Sequence, residues 1–227
     1  MFANLMKSAA VLAAVTLGVS AQAAFVTPTA GDVRFGWDRF DAGSAYSEWD
    51  VFTIPLGAPG NLPDVDSFGV GSSATVTQTV PGAFIAGSGN IYSFGSVNDF
   101  DVSIPLVIAD YIRVVVQVQT LGTELVYDDI LIDGLAPVYT EELDRIGLGG
   151  FGGSEVETLL VFDLPFGTTG PVNLDLTASG TSLSLDQLVV DVFGQSTAFP
   201  AVPEPASLAL LAGGLAVWVR RSRPTTA

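Results

Sequence analysis

Cysteine and histidine are both missing from this 227-residue chain. Without cysteine there is no disulfide framework, so a packed core must hold the fold. Without histidine there is no Ser-His-Asp triad and no imidazole base. The two absences together remove Cys-His pairs and Cys/His zinc sites. Carboxylate pairs and oxygen-ligated metals remain open. Basic residues are scarce too: 8 Lys and Arg stand against 24 Asp and Glu, a net charge of −16. Lys7, Arg220, Arg221 and Arg223 lie at the two ends. The stretch between keeps only Arg34, Arg39, Arg113 and Arg145 against every acid except Glu204. Such a body repels nucleic acid and anionic lipid, and its charge serves either to attract cations or simply to keep it soluble.

Helical periodicity is nearly absent as well. The middle of the chain alternates with period two. In "RVVVQVQT" (113–120), Val114, Val116 and Val118 oppose Arg113, Gln117 and Gln119, the pattern of a half-buried strand. In "TVTQTV" (75–80), Thr75, Thr77 and Thr79 oppose Val76, Gln78 and Val80. "TLLVFDL" (158–164) is a more fully buried run, and "NLDLTAS" (173–179) alternates again. "TSLSLDQLVVDVFG" (181–194) places Leu183 and Leu185 on one face and then slips, which predicts a bulge near Asp186 and Gln187. Gly and Pro punctuate at short intervals, and only "TEELDRIG" (140–147) is predicted as a helix, a short one. No fixed-period repeat points to a solenoid. The expected fold is all-β, a single antiparallel β-sandwich over residues 24–200.

The two ends differ from the body. Lys7, the apolar run at 8–20 and Ala21-Gln22-Ala23 read as a signal peptide spanning 1–23. The small residues Ala21 and Ala23 set a signal peptidase cut after Ala23. At the other end, residues 206–219 form an uncharged run. As a helix it would measure roughly 21 Å, a marginal span for a hydrocarbon core of roughly 30 Å. Trp218 suits an interface, and Arg220, Arg221 and Arg223 suit a cytoplasmic flank. The expected precursor therefore has a short C-terminal transmembrane helix and an outward-facing body.

The order of Pro203-Glu204-Pro205, a short apolar helix with Gly213-Gly214, and Arg220-Arg221 resembles the PEP-CTERM sorting signal. The resemblance covers residues 201–227. It implies export in a Gram-negative bacterium that makes exopolysaccharide. It also implies recognition by a membrane-embedded exosortase and a cut near the Pro-Glu-Pro. Tails of this type also go by the name of ice-binding protein C-terminal domain, a label that brings no ice-binding residue with it. In the body, "WDVFTIP" (49–55), "VVVQVQTLGTEL" (114–125) and "SLSLDQLVVDV" (182–192) resemble strands of lectin and carbohydrate-binding jelly rolls.

Chemistry has few places to reside. Glycosidases of jelly-roll type carry Glu-x-Asp-x-x-Glu on one strand. Here Glu155-x-Glu157 is followed by Leu160 where the last acid belongs, and the pattern fails. "DVDSFG" (64–69) begins like a calcium loop, but Phe68 and Thr75 occupy ligand positions. Asp99 and Asp101, with Asp128 and Asp129, are the candidate ligands for a structural calcium, and no other cofactor is expected. Asp129 and Asp133 are expected on one face of a strand. Trp37 and Trp49, in the aromatic-rich stretch 35–52, are the candidate sugar-stacking residues, with sandwich core as the competing role. The row Thr75, Thr77 and Thr79 is too small for an ice-binding array. Two functions follow. One is a non-enzymatic structural or matrix protein, sorted to the surface and associated with exopolysaccharide. The other is a carbohydrate-binding module with a defined sugar site. Exposed tryptophans favour the second and buried ones the first.

Overall fold

The computed structural model describes residues 25–149 and 152–203 of the chain. The signal segment with Ala21 and Ala23, the apolar run 206–219, and Glu204, Pro205, Arg220, Arg221 and Arg223 lie outside the described residues. No helix among the described residues is long and apolar enough to cross a membrane.

Among the described residues, eleven antiparallel strands form two sheets. The larger contains β1 (Ser44–Trp49), β3 (Phe84–Ile85), β4 (Ile91–Tyr92), β6 (Tyr111–Gly122), β8 (Tyr139–Gly147), β9 (Ser154–Asp163) and β11 (Leu183–Gln195), in the order β3-β4-β11-β6-β9-β8. The smaller contains β2 (Thr75–Gln78), β5 (Val97–Ile104), β7 (Leu131–Ile132) and β10 (Val172–Thr181), in the order β2-β5-β10-β7. β6 takes one whole edge of β11. The other edge is shared: β4 pairs Ser184 and Leu185, and β1 pairs Leu188 to Phe193. The register slips between Leu185 and Gln187, at the predicted bulge. The slip lets Leu183 and Leu185 face the same core as Leu188, Val190 and Val192.

One core lies between the sheets. Val76, Phe100, Val102, Leu174 and Leu176 of the small sheet meet Val114, Val116, Leu160, Phe162 and Val190 of the large one. All are at most 1% exposed, and each such side chain contributes about 1.5–3 kcal/mol relative to an exposed one. The outer face of the small sheet is polar, with Thr75, Thr77, Asp101, Ser103 and Asp175 alternating against that core.

Two expectations are corrected here. Residues 140–147 are not a helix but most of β8. Glu, Leu and Arg favour a helix locally, but the edge of β9 offers hydrogen bonds and a face to cover, and tertiary pairing overrides propensity. Its charged residues suit an edge strand, which they protect from pairing with another chain. The second correction concerns β6, which is not half-buried. Arg113 and Gln117 are 0% exposed and Gln119 is 4% exposed. Their face of the large sheet is covered by segments from the two ends of the body.

Candidate functional site

That covering builds a second, smaller cluster outside the sandwich. Val115 of β6, Leu159 and Val161 of β9 and Tyr139 of β8 bury against Phe35 and Trp37, with Val26, Phe199 and Val202 packed alongside. Residues 34–40 are not a strand, yet Phe35 and Trp37 enter the same cluster from a chain of turns. Trp37 stacks on Phe193 of β11 at 5.0 Å and 8° and meets Phe199 edge-on at 6.3 Å.

Three polar side chains of the large sheet hold the segments in place. Gln117 treats Val26 as a strand neighbour. Its Oε1 accepts from the Val26 N–H at 2.6 Å, and its Nε2 donates to the Val26 carbonyl at 2.9 Å. Arg113 donates to both oxygens of Asp163 at 2.6 and 2.8 Å. It also donates to the carbonyls of Arg34 at 3.2 Å and Pro200 at 3.0 Å, and lies over the Phe199 ring. A guanidinium suits this place because its five donors are fixed in a plane and its charge is delocalised. Asp191 of β11, 1% exposed, accepts two bonds of 2.7 Å from Arg39. Burial outweighs that partner and pushes the Asp191 carboxyl up to about 6. Arg39 also lies 4.1 Å from the centre of the Tyr46 ring.

Both ends of the described body are thus clamped to one face of β6. Gln117 and Arg113 stand four residues apart on that strand, roughly 13 Å. Val26 follows the expected signal cleavage site by three residues, and Val202 immediately precedes Pro203. The packing therefore runs past residue 200 to Val202, next to Pro203.

The profile of the PEP-CTERM protein-sorting motif matches residues 201–223. The chain carries a PEP-CTERM sorting signal. The motif marks an exported protein that is sorted by exosortase, and Pro203, Glu204, Pro205, Arg220 and Arg221 all fall within the matched stretch. No curated protein and no solved structure matches the chain. The lectin-like resemblance of the body therefore finds no support among known folds.

The other candidate residues are dispersed. Trp49 is 0% and Trp37 1% exposed, so neither offers a ring face to a sugar; this corrects their reading as stacking residues. Trp49 packs between the sheets, and its indole N–H donates to the Asn61 carbonyl. The candidate calcium ligands do not converge. Asp99 and Asp101 are on β5, which pairs one edge of β10. Asp128 and Asp129 are in a 3-10 turn (Tyr127–Asp129) beside the other edge of β10, where the Val126 N–H donates to Thr177. A strand thus separates the two pairs. Among the described residues no group of three or more Asp or Glu side chains is placed to hold a metal ion. Asp129 and Asp133 also share no strand, since Asp133 follows β7 in a left-handed turn with φ 48°. Asp64, at the start of the failed calcium loop, caps a turn by accepting from the N–H groups of Asp50 and Val51.

One acid was missed by its spacing. Glu157 of β9 is 2% exposed, and neither carboxylate oxygen has a hydrogen-bond partner among the described residues. It lies between Gln119 of β6 and Asp144 of β8. Burial, then the charges of Asp144 and Glu155, push it up to about 7. In the sequence Glu157 stands between Val156 and Thr158, just ahead of the apolar run 159–162, and nothing local marks it as buried. Its raised affinity for a proton is that of a general acid, but its burial keeps it from a substrate.

Proposed function

We propose that this protein is an exported, non-enzymatic component of the cell surface or extracellular matrix, associated with exopolysaccharide. The sorting signal at 201–223 carries the reading. In the precursor the signal peptide is removed after Ala23, the run 206–219 anchors the chain, and Arg220, Arg221 and Arg223 stay in the cytoplasm. Exosortase then cuts near Pro203-Glu204-Pro205 and discards helix and arginines. The acidic body, free of His and Cys, is left outside the inner membrane. Its clamped ends support this order of events, because both segments that meet the membrane leave from one face. The absence of histidine and cysteine and the broken acid pattern at Glu155-x-Glu157 support a non-enzymatic role.

Intact-mass measurement of protein extracted from the cell surface tests the proposal. The expected species begins at Ala24 and ends near Pro205. A surface species still carrying Trp218 and the arginines would make this a plain membrane anchor. Arg220→Glu with Arg221→Glu should leave the protein in the inner membrane, since the positive flank sets the orientation of the tail.

A further inference from the structure

At the far end of the large sheet the strands leave a groove of about 620 Å³, within the range of small-molecule sites. Gly122 of β6 forms part of it. Gly122 stands nine residues along β6 from Arg113, roughly 30 Å from the clip that holds Pro200. The groove therefore lies at the opposite end of β6 from that clip. Its floor is backbone. A Cβ on Gly122 would lie 2.2 Å from the Ser182 carbonyl oxygen, and one on Gly153 would lie 2.4 Å from that of Gly122. Glycine at both positions lets β6, β9 and β11 end this close together, and Ser182 itself is held at φ 71°.

One wall is aromatic. Phe94 is 71% exposed and stacks on Phe84 at 5.8 Å and 23°. Tyr92 meets Phe94 edge-on at 4.5 Å. Phe84, on the rim, is itself 41% exposed. The lining also carries the hydroxyls of Thr181, Ser182 and Ser184, which bond to no other described residue, and that of Thr123; Ser184 is the cross-strand neighbour of Tyr92. No lining residue among the described residues is charged, although the chain as a whole is strongly acidic.

We infer that this groove binds a neutral polysaccharide, whose pyranose faces lie on Phe94 and Tyr92 and whose hydroxyls pair with the serine and threonine hydroxyls beside them. The inference rests on the surface and matrix reading above. Stacking needs a flat C–H face, which a pyranose ring has. Hydroxyls that both donate and accept match sugar hydroxyls better than they match an ion. The uncharged lining inside an acidic protein selects against a polyanion, which the surrounding field repels. The groove lies at the end of β6 away from the Pro200 clip, so the segments held at that clip leave it open to matrix polymer.

Native-gel electrophoresis of the full chain, held in a detergent without a sugar headgroup, tests it. The gels contain dextran, galactomannan, hydroxyethylcellulose or alginate. At least one of the three neutral polymers is expected to retard the wild type. Phe94→Ala and Tyr92→Ala should each weaken that retardation roughly tenfold. Phe166→Ala, which removes an equally exposed ring that packs on Tyr111 instead, should leave it unchanged. Retardation by alginate alone, by no polymer, or equally in Phe94→Ala overturns the inference. So does a dimer in sedimentation that Phe94→Ala dissolves, since the patch would then join two copies of this chain. Cell fractionation of the wild type is read in parallel. Surface location without retardation removes the groove and keeps the surface role, whereas retention inside the cell removes that role.

Discussion

Replacing Glu157 by glutamine should make the protein more stable at neutral and alkaline pH. The side chain is 2% exposed, without a hydrogen-bond partner among the described residues, and faces Asp144 across β8 and Gln119 across β6, with Glu155 on its own strand. In the unfolded chain its carboxyl titrates at 4.5; in the fold it is pushed up to about 7. A raised carboxyl binds its proton more tightly in the folded state. Its protonated form is therefore tolerated below pH 4.5. Between 4.5 and 7 the fold loses stability as pH rises, and above 7 it holds an ionised, unpaired carboxylate. The shift from 4.5 to about 7 corresponds to about 3 kcal/mol. Glutamine stays neutral throughout. The stability of Glu157→Gln relative to wild type should thus climb by about 3 kcal/mol between pH 4 and pH 9, or roughly 6–12 °C in Tm for a body of this size. Urea melts of both proteins across that range measure it. Asp175, Asp186 and Asp191 are raised too, and tilt the wild-type curve the same way, but they cancel in the difference. A difference that stays flat with pH would show that Glu157 is ionised at no cost, and the argument from burial would fail.

Arg113→Met should cost about 2–4 kcal/mol, because it leaves the Arg34 and Pro200 carbonyls without their shared donor and frees the segment around Phe199. Limited proteolysis should then cut near Phe199, and resistance equal to wild type would show that apolar packing alone holds the strap. Gly71→Ala places a Cβ 2.1 Å from the Tyr46 carbonyl oxygen, a contact that forces backbone apart. It should lower stability by about 2–4 kcal/mol in denaturant melts, and a loss under 1 kcal/mol would contradict that geometry. Calcium or a chelator should leave Tm unchanged, since a strand separates Asp99 and Asp101 from Asp128 and Asp129. A rise in Tm with calcium would reveal a site that these residues do not form.

Much of the sandwich was legible because strand periodicity is a local property. Val114, Val116 and Val118, the slip near Asp186 and the alternation through 173–179 each follow from side chains pointing to opposite faces in turn. The sorting tail was legible for a different reason. Its motif is a linear order of proline, apolar run and arginine within a single short stretch of sequence. What periodicity cannot carry is whether the second face of a strand meets water or another segment. Arg113, Gln117 and Gln119 look like solvent-facing residues, and only the return of Val26 and Pro200 to β6 buries them. The same return hides Trp37, while Trp49 is enclosed between the sheets. The convergence of Gly122, Gly153 and Ser182 beside Phe94 depends on three strand ends far apart in the chain. Residues 140–147 became a strand for the same reason, since the edge of β9 needed a partner. Long-range pairing decided these features because their energy lies in contacts between distant segments, which no local window of sequence contains.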